Sequence, residues 1–91
     1  MTNNHELIDI VATQAGLPDL NSPLKTTEYV RARAVAVKLL KESGISCNET
    51  ARLLRRDSKT IRHARDTWDH IWEKDVTAMR LYRACQAALV G

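Results

Sequence analysis

Basic and hydroxyl side chains crowd the middle of the chain, in the stretch Ser46–Thr67 (SCNETARLLRRDSKTIRHARDT). Arg55 and Arg56 are adjacent, and Lys59 and Arg62 follow at the spacing of one helical turn. Guanidinium and ammonium groups bind phosphate, and they also donate hydrogen bonds to the edges of bases, guanine above all. The chemistry that these residue types favour is therefore noncovalent binding of a polyanion.

The distribution of charge supports this interpretation. The chain carries a formal net charge of +3, but residues 25–65 hold eleven basic and four acidic residues, a net charge of +7. Residues 1–24 have a net charge of −3 and residues 66–91 of −1. Basic charge concentrated in one segment is what a surface that binds a polyanion requires.

Signatures of catalysis are missing from the sequence. It has no glycine-rich phosphate loop and no nucleophile paired with a base. Asp66 and Asp69 are most simply charges on a helix surface. Four side chains are candidate metal ligands, Cys47, Cys85, His63 and His70, but their spacing matches no known pair. We therefore predict that the chain is not an enzyme and needs no metal or cofactor.

The compartment follows from cysteine content and hydropathy. Two cysteines are too few for a disulfide framework. No apolar run approaches the roughly 18 residues of a membrane span, and the start MTNNHELIDI lacks the basic region of a signal peptide. These features predict a cytoplasmic protein with reduced thiols and no membrane partner.

Apolar spacing and helix-end residues predict an all-α fold, a small domain of about five helices containing a helix-turn-helix. Ser46 and Glu49 form a capping box, and Gly16 and Gly44 are suited to helix ends. The predicted helices cover residues 4–15, 27–43, 47–54, 58–73 and 76–89. We expect an acidic helix and linker over residues 1–24 and the main domain over 25–91.

The third and fourth predicted helices, joined by the tight turn at residues 55–57, have the form of a helix-turn-helix. The fourth has an apolar face, Ile61, Ala64, Trp68, Ile71 and Trp72, which favours a core role for both tryptophans over base stacking. Its opposite face predicts base-reading residues, Ser58, Lys59, Arg62 and His63. The flanking arginines are predicted to contact the DNA backbone, Arg52, Arg55, Arg56 and Arg65.

The string RRDSKTIRHA, residues 55–64, resembles the DNA-binding C-terminal domain of the bacterial replication initiator DnaA, whose motif reads roughly GGRDHTTVLHA. The segment VRARAVAVKLLKE resembles the first helix of that domain, so the resemblance covers about residues 30–75. It implies that Asp57, Lys59 and Thr60 lie near bases and that Arg31 or Arg33 enters a minor groove. It also implies a bacterial cell or nucleoid as the location.

Three functions compete on this evidence. The first is a sequence-specific double-stranded DNA-binding protein, a transcription or replication regulator of host, phage or plasmid origin, acting by site occupancy. The second is a protein–protein adaptor or inhibitor with a DnaA-like helical fold. In an adaptor the N-terminal helix would bind the partner protein through its apolar stripe. The same stripe could join two copies in a homodimer. RNA is the weakest, because its A-form major groove is too narrow for a helix.

Overall fold

Five α-helices follow one another in the computed structural model, which describes residues 3–21 and 26–90. They are α1 Asn4–Ala15, α2 Thr27–Glu42, α3 Cys47–Leu54, α4 Ser58–Thr67 and α5 Val76–Val90, with a short 3-10 turn at Trp72–Lys74. The described ranges contain no strand, so the predicted all-α fold is confirmed. None of the helices in these ranges is long and apolar enough to span a bilayer.

Side-chain caps mark the starts of α1, α3 and α5. The Asn3 side chain accepts from the Glu6 amide at 2.8 Å, and Ser46 Oγ accepts from the Glu49 amide at 3.2 Å. The second half of the predicted capping box is replaced, because the Glu49 carboxylate pairs with Arg52 at 3.0 Å. Asp75 caps α5 by accepting from the Ala78 amide at 3.0 Å.

Helix α2 lies at the centre of the core. Nine of its sixteen residues are buried. Helices α1 and α5 pack against it and against each other, and α3 and α4 complete the surroundings. The apolar stripe of α1, which includes Leu7, Ile8 and Val11, is part of this core. The stripe is therefore covered, and the exposed face that α1 leaves to solvent carries Glu6 and Asp9.

The prediction that the fourth helix extends to about residue 73 is wrong, because α4 ends at Thr67. The Thr67 hydroxyl donates to the carbonyl of His63 at 2.8 Å, a bond that competes with the helix ladder. Trp68 is buried just beyond the end and anchors the turn that leads back to α5. Ile71 was expected in the core and is 51% exposed, because the helical period no longer applies there.

A second correction concerns the start of α5. The apolar spacing of the fifth predicted helix puts Val76 on its inward face, but Val76 is 66% exposed at the first position of the helix. The inward face of α5 is instead built by Ala78, Tyr82 and Cys85, all buried. Tyr82 packs edge-on against Trp68, with ring centroids 5.5 Å apart, so α5 is fixed to the residue that ends α4.

Candidate nucleic-acid interface

The turn between α3 and α4 is a helix-ending motif with an arginine in the position usually taken by glycine. Arg55 has φ 54°, and the amide of Arg56 donates to the carbonyl of Ala51 at 2.9 Å. Among the described residues Arg55 is the one non-glycine residue with positive φ. Its side chain is exposed, directly before the helix that carries the basic face.

The N-terminus of α4 is capped by Asp57, whose carboxylate accepts from the Lys59 amide at 2.9 Å. The resemblance to DnaA implied that Asp57 lies near bases, and in the free protein its carboxylate serves the helix end. Ser58 is half-buried as the first residue of α4. The first turn of α4 is therefore held in a fixed direction by its own cap.

The two faces of α4 separate as the sequence predicts. Ile61 is only 2% exposed and Ala64 is half-buried, so this side packs on the core. Of the predicted base-reading residues of α4, all those after Ser58 are exposed: Lys59, Thr60, Arg62 and His63. A helix that buries one side and presents cations on the other can place them in a major groove.

Asp66 is a helix-surface charge in the sequence prediction and is not among the predicted base-reading residues. Asp66 is exposed, and helical spacing puts it one turn beyond Arg62 and His63. A carboxylate there repels phosphates but accepts a hydrogen bond from the amino group of cytosine. Its i, i+4 spacing from Arg62 places it beside the predicted base-reading residues.

The flanking arginines divide into exposed and anchored side chains. Arg52 is exposed and forms the ion pair with Glu49. Arg56 is half-buried and donates to the carbonyl of Arg55 at 3.2 Å. Arg65 is half-buried and its guanidinium donates to the carbonyl of Ile45, which ties α4 to the connection between α2 and α3. Arg65 thus positions the helix from inside the protein.

Arg33 is a core side chain, a correction to its expected place in a minor groove. It is 9% exposed, and its Nε donates to the carbonyl of Leu20 at 2.9 Å. Its guanidinium lies 5.4 Å from the ring centroid of Tyr29. Burial lowers the pKa of Arg33, and the charge of Arg56 lowers it further. Bonded to the connection that follows α1, Arg33 is excluded from the candidate interface.

Arg31 is less buried than Arg33. Its side chain is one-fifth exposed, and its Nε lies 3.7 Å from the carboxylate of Asp75. This contact directs the guanidinium towards the start of α5. Arg31 therefore stays a candidate only for a contact that it makes after leaving Asp75.

Comparison with known proteins agrees with this geometry. Residues 27–70 match the family model of the homeodomain-like domain. The matched range contains α2, α3 and α4 and the basic turn, which together are a helix-turn-helix unit. Comparisons with curated proteins and with solved structures found no match. The fold and the family match support a DNA-binding helix-turn-helix domain, and the DnaA resemblance stays a prediction.

Proposed function

We propose that the chain is a sequence-specific double-stranded DNA-binding regulator that places α4 in the major groove. The observation that carries this proposal is the division of α4 between Ile61, buried against the core, and Lys59 and Arg62, exposed on the opposite side. Because the buried side fixes the rotation of the helix, the cations meet a duplex in one orientation. A fixed orientation is what base recognition requires and what general charge attraction does not.

The residues of this surface fall into base-reading and phosphate-binding groups in this proposal. Lys59 and Arg62 donate to O6 and N7 of guanine, and Ser58, Thr60 and His63 contact neighbouring base edges. Asp57 approaches the bases through the helix end that it caps. Arginines around the base-reading residues bind phosphates and give affinity without sequence choice. They are Arg52, Arg55 and Arg56, with Arg31 and Arg65 as secondary contributors.

Occupancy is the mode of action that these features support. A bound domain blocks polymerase or an initiator, or marks a site for a partner, without any chemistry of its own. Transcription and replication control are both consistent with it, as is a host, phage or plasmid origin. In this proposal the protein acts on DNA inside a bacterial cell.

The first experiment selects bound duplexes from a random pool and then measures variants by mobility shift. Arg62→Ala should lose about 1–3 kcal/mol of discrimination at one base pair of the selected site. Arg83→Ala is the matched control, because Arg83 is exposed on α5, outside the basic turn and α4. It should keep the full discrimination. Equal affinity of the unaltered protein for selected and scrambled duplexes contradicts the proposal.

The selected sequence also decides the oligomeric state of the bound protein. A single asymmetric motif indicates a monomer, and an inverted repeat indicates a dimer that reads two half-sites.

The adaptor function retains one supporting observation, the acidic exposed face of α1 with Glu6 and Asp9. The apolar stripe on which docking or dimerisation was expected to depend is buried. Light scattering with and without the selected duplex separates the two functions. An adaptor gives no change in mass when DNA is added.

A further inference from the structure

A cleft of about 370 Å³ lies between α2 and α4. Its lining is largely aliphatic, and the buried or half-buried contributors include Ala34, Val37, Leu54, Ile61 and Ala64. This volume is within the roughly 300–1,000 Å³ typical of small-molecule sites. Charged phosphates gain little from contact with apolar side chains, so we expect this cleft to bind an apolar group.

The outer part of the cleft adds one aromatic and one aliphatic contact. Trp72 is half-buried and lines the cleft from the segment between α4 and α5. Val30 lines it from α2 and is 40% exposed, so the cleft is open to solvent there. The indole favours an aromatic ring, because paired rings contribute more than the area they bury.

The charge of the lining residues favours an apolar ligand that also carries a negative charge. Among the described residues that line the cleft, three are basic, Arg33, Arg56 and His63, and none is acidic. After burial, the charge of Arg56 is the largest influence on the pKa of Arg33 and lowers it, ahead of the opposing effect of Asp19. Both guanidiniums are engaged within the protein, so their charge rather than a vacant donor attracts an anion.

We propose that this cleft binds a small amphipathic anion, an aromatic carboxylate, with its ring between Ala34, Ile61 and Trp72 and its charge beside Arg56. The aliphatic lining, the indole and the basic residues each match one part of such a molecule. A neutral aromatic of the same shape matches only the first two.

Binding in the cleft is coupled to the DNA face, a step that rests on the proposed function. Thr60 and His63 line the cleft and also belong to the proposed base-reading set. A carboxylate beside Arg56 places negative charge next to the position expected for a DNA phosphate. The anion therefore weakens DNA binding, and DNA weakens binding of the anion by the same factor.

The test uses 2-naphthoate as the probe and 2-naphthamide as its neutral counterpart, each titrated into the full chain by calorimetry. The naphthoate should bind about fivefold more tightly than the amide, because a carboxylate near a cation gains that much in a partly solvated site. In nuclear magnetic resonance spectra, the indole N–H of Trp72 should shift during the titration. Naphthoate binding no tighter than amide binding overturns the proposal.

Two pairs of variants locate the site. Val30→Glu places a carboxylate at the opening and should weaken naphthoate about fivefold while sparing the amide. Val76→Glu is its control, because Val76 is exposed outside the cleft. Ala64→Leu fills the cleft and should abolish binding of both probes, whereas Ala87→Leu, on an exposed position of α5, should not. Equal effects within either pair overturn the site.

A separate arm measures DNA. Saturating naphthoate should lower affinity for the selected duplex about fivefold or more in fluorescence anisotropy, within the usual range of coupling between sites. The Val30→Glu variant should resist this inhibition, since it no longer binds the anion well. If the chain binds no DNA but the variant pairs still differ in naphthoate binding, the proposed function fails and the anion site stands. If DNA binds and naphthoate does not, the anion site fails alone.

Discussion

Replacement of Arg55 by glycine should make the protein more stable and a weaker DNA binder. Three helices end in the same backbone motif, with Gly16 at φ 72°, Gly44 at φ 84° and Arg55 at φ 54°. In each, the amide of the residue after the left-handed one donates to a carbonyl of the last turn, at 2.9, 3.0 and 2.9 Å. The chain thus uses glycine twice and arginine once in a left-handed position that favours glycine.

The gain in stability is the difference of two effects. A residue with a side chain costs about 1–2 kcal/mol in the left-handed region. Glycine regains this cost but makes the unfolded chain more flexible, which costs about 0.4–1 kcal/mol. Arg55→Gly should therefore raise the free energy of unfolding by about 0.5–1 kcal/mol, which moves the melting temperature of a domain this size by about 2–8 °C.

The loss in DNA binding follows from the exposed guanidinium at the turn. If Arg55 neutralises one phosphate, its removal lowers the slope of log affinity against log salt by about 0.9. The loss should be the same for selected and scrambled duplexes, because a phosphate carries no sequence information. Urea denaturation and fluorescence anisotropy at several salt concentrations measure the two quantities on one preparation.

Gly16→Arg is the matched control. It puts an arginine into the same motif at the end of α1, where a Cβ would meet no atom within 4 Å. The control should lose about the stability that Arg55→Gly gains, with no fall in the salt slope. An Arg55→Gly variant that is no more stable than the parent, or that binds DNA with an unchanged salt slope, refutes the reasoning.

Three further predictions address the acidic face, the thiols and alkaline pH. Asp66→Asn removes an exposed negative charge near phosphates, so it should raise the affinity for all duplexes in fluorescence anisotropy. If the carboxylate instead reads a cytosine, discrimination should fall at one position of the site. At pH 8, iodoacetamide should modify half-exposed Cys47 and spare Cys85 in mass spectra, since burial raises the pKa of the Cys85 thiol to about 11; modification of both in the folded protein contradicts this. Burial, followed by the hydrogen bond to Glu42, raises the pKa of Tyr82 to about 12, so its contribution to the free energy of unfolding is complete below pH 10 and is lost as pH rises through about 12. In urea titrations, Tyr82→Phe should reduce the loss of unfolding free energy at alkaline pH. An equal loss in the variant and the parent would contradict this role of Tyr82.

Local signals predicted the helix ends well, and they failed where a boundary depends on distant packing. The capping residue Ser46 and the left-handed Gly16 act within a few residues, so sequence alone shows them. The end of α4 has no such mark. Its apolar period continues through Ile71 although the helix has stopped, because the need to bury Trp68 and turn back to α5 is tertiary.

The candidate site was predictable on α4 and less so around it. A helical period assigns Lys59 and Arg62 to the face opposite Ile61, and exposure agrees with it. The helical periodicity of the sequence does not predict that Arg33 is buried. Its acceptor is the carbonyl of Leu20, thirteen residues away, and such a contact depends on tertiary packing.

The position of α2 explains why the outer face of α4 is available for recognition. Helices α1 and α5 also pack against α2, so the core does not depend on the exposed side of α4. Exposed residues away from caps, cavities and ion pairs usually change stability by less than about 0.5 kcal/mol when substituted. Arg62 is such a residue. Its replacement should therefore change which duplex is bound while the melting temperature stays near that of the parent, as a residue that serves recognition alone requires.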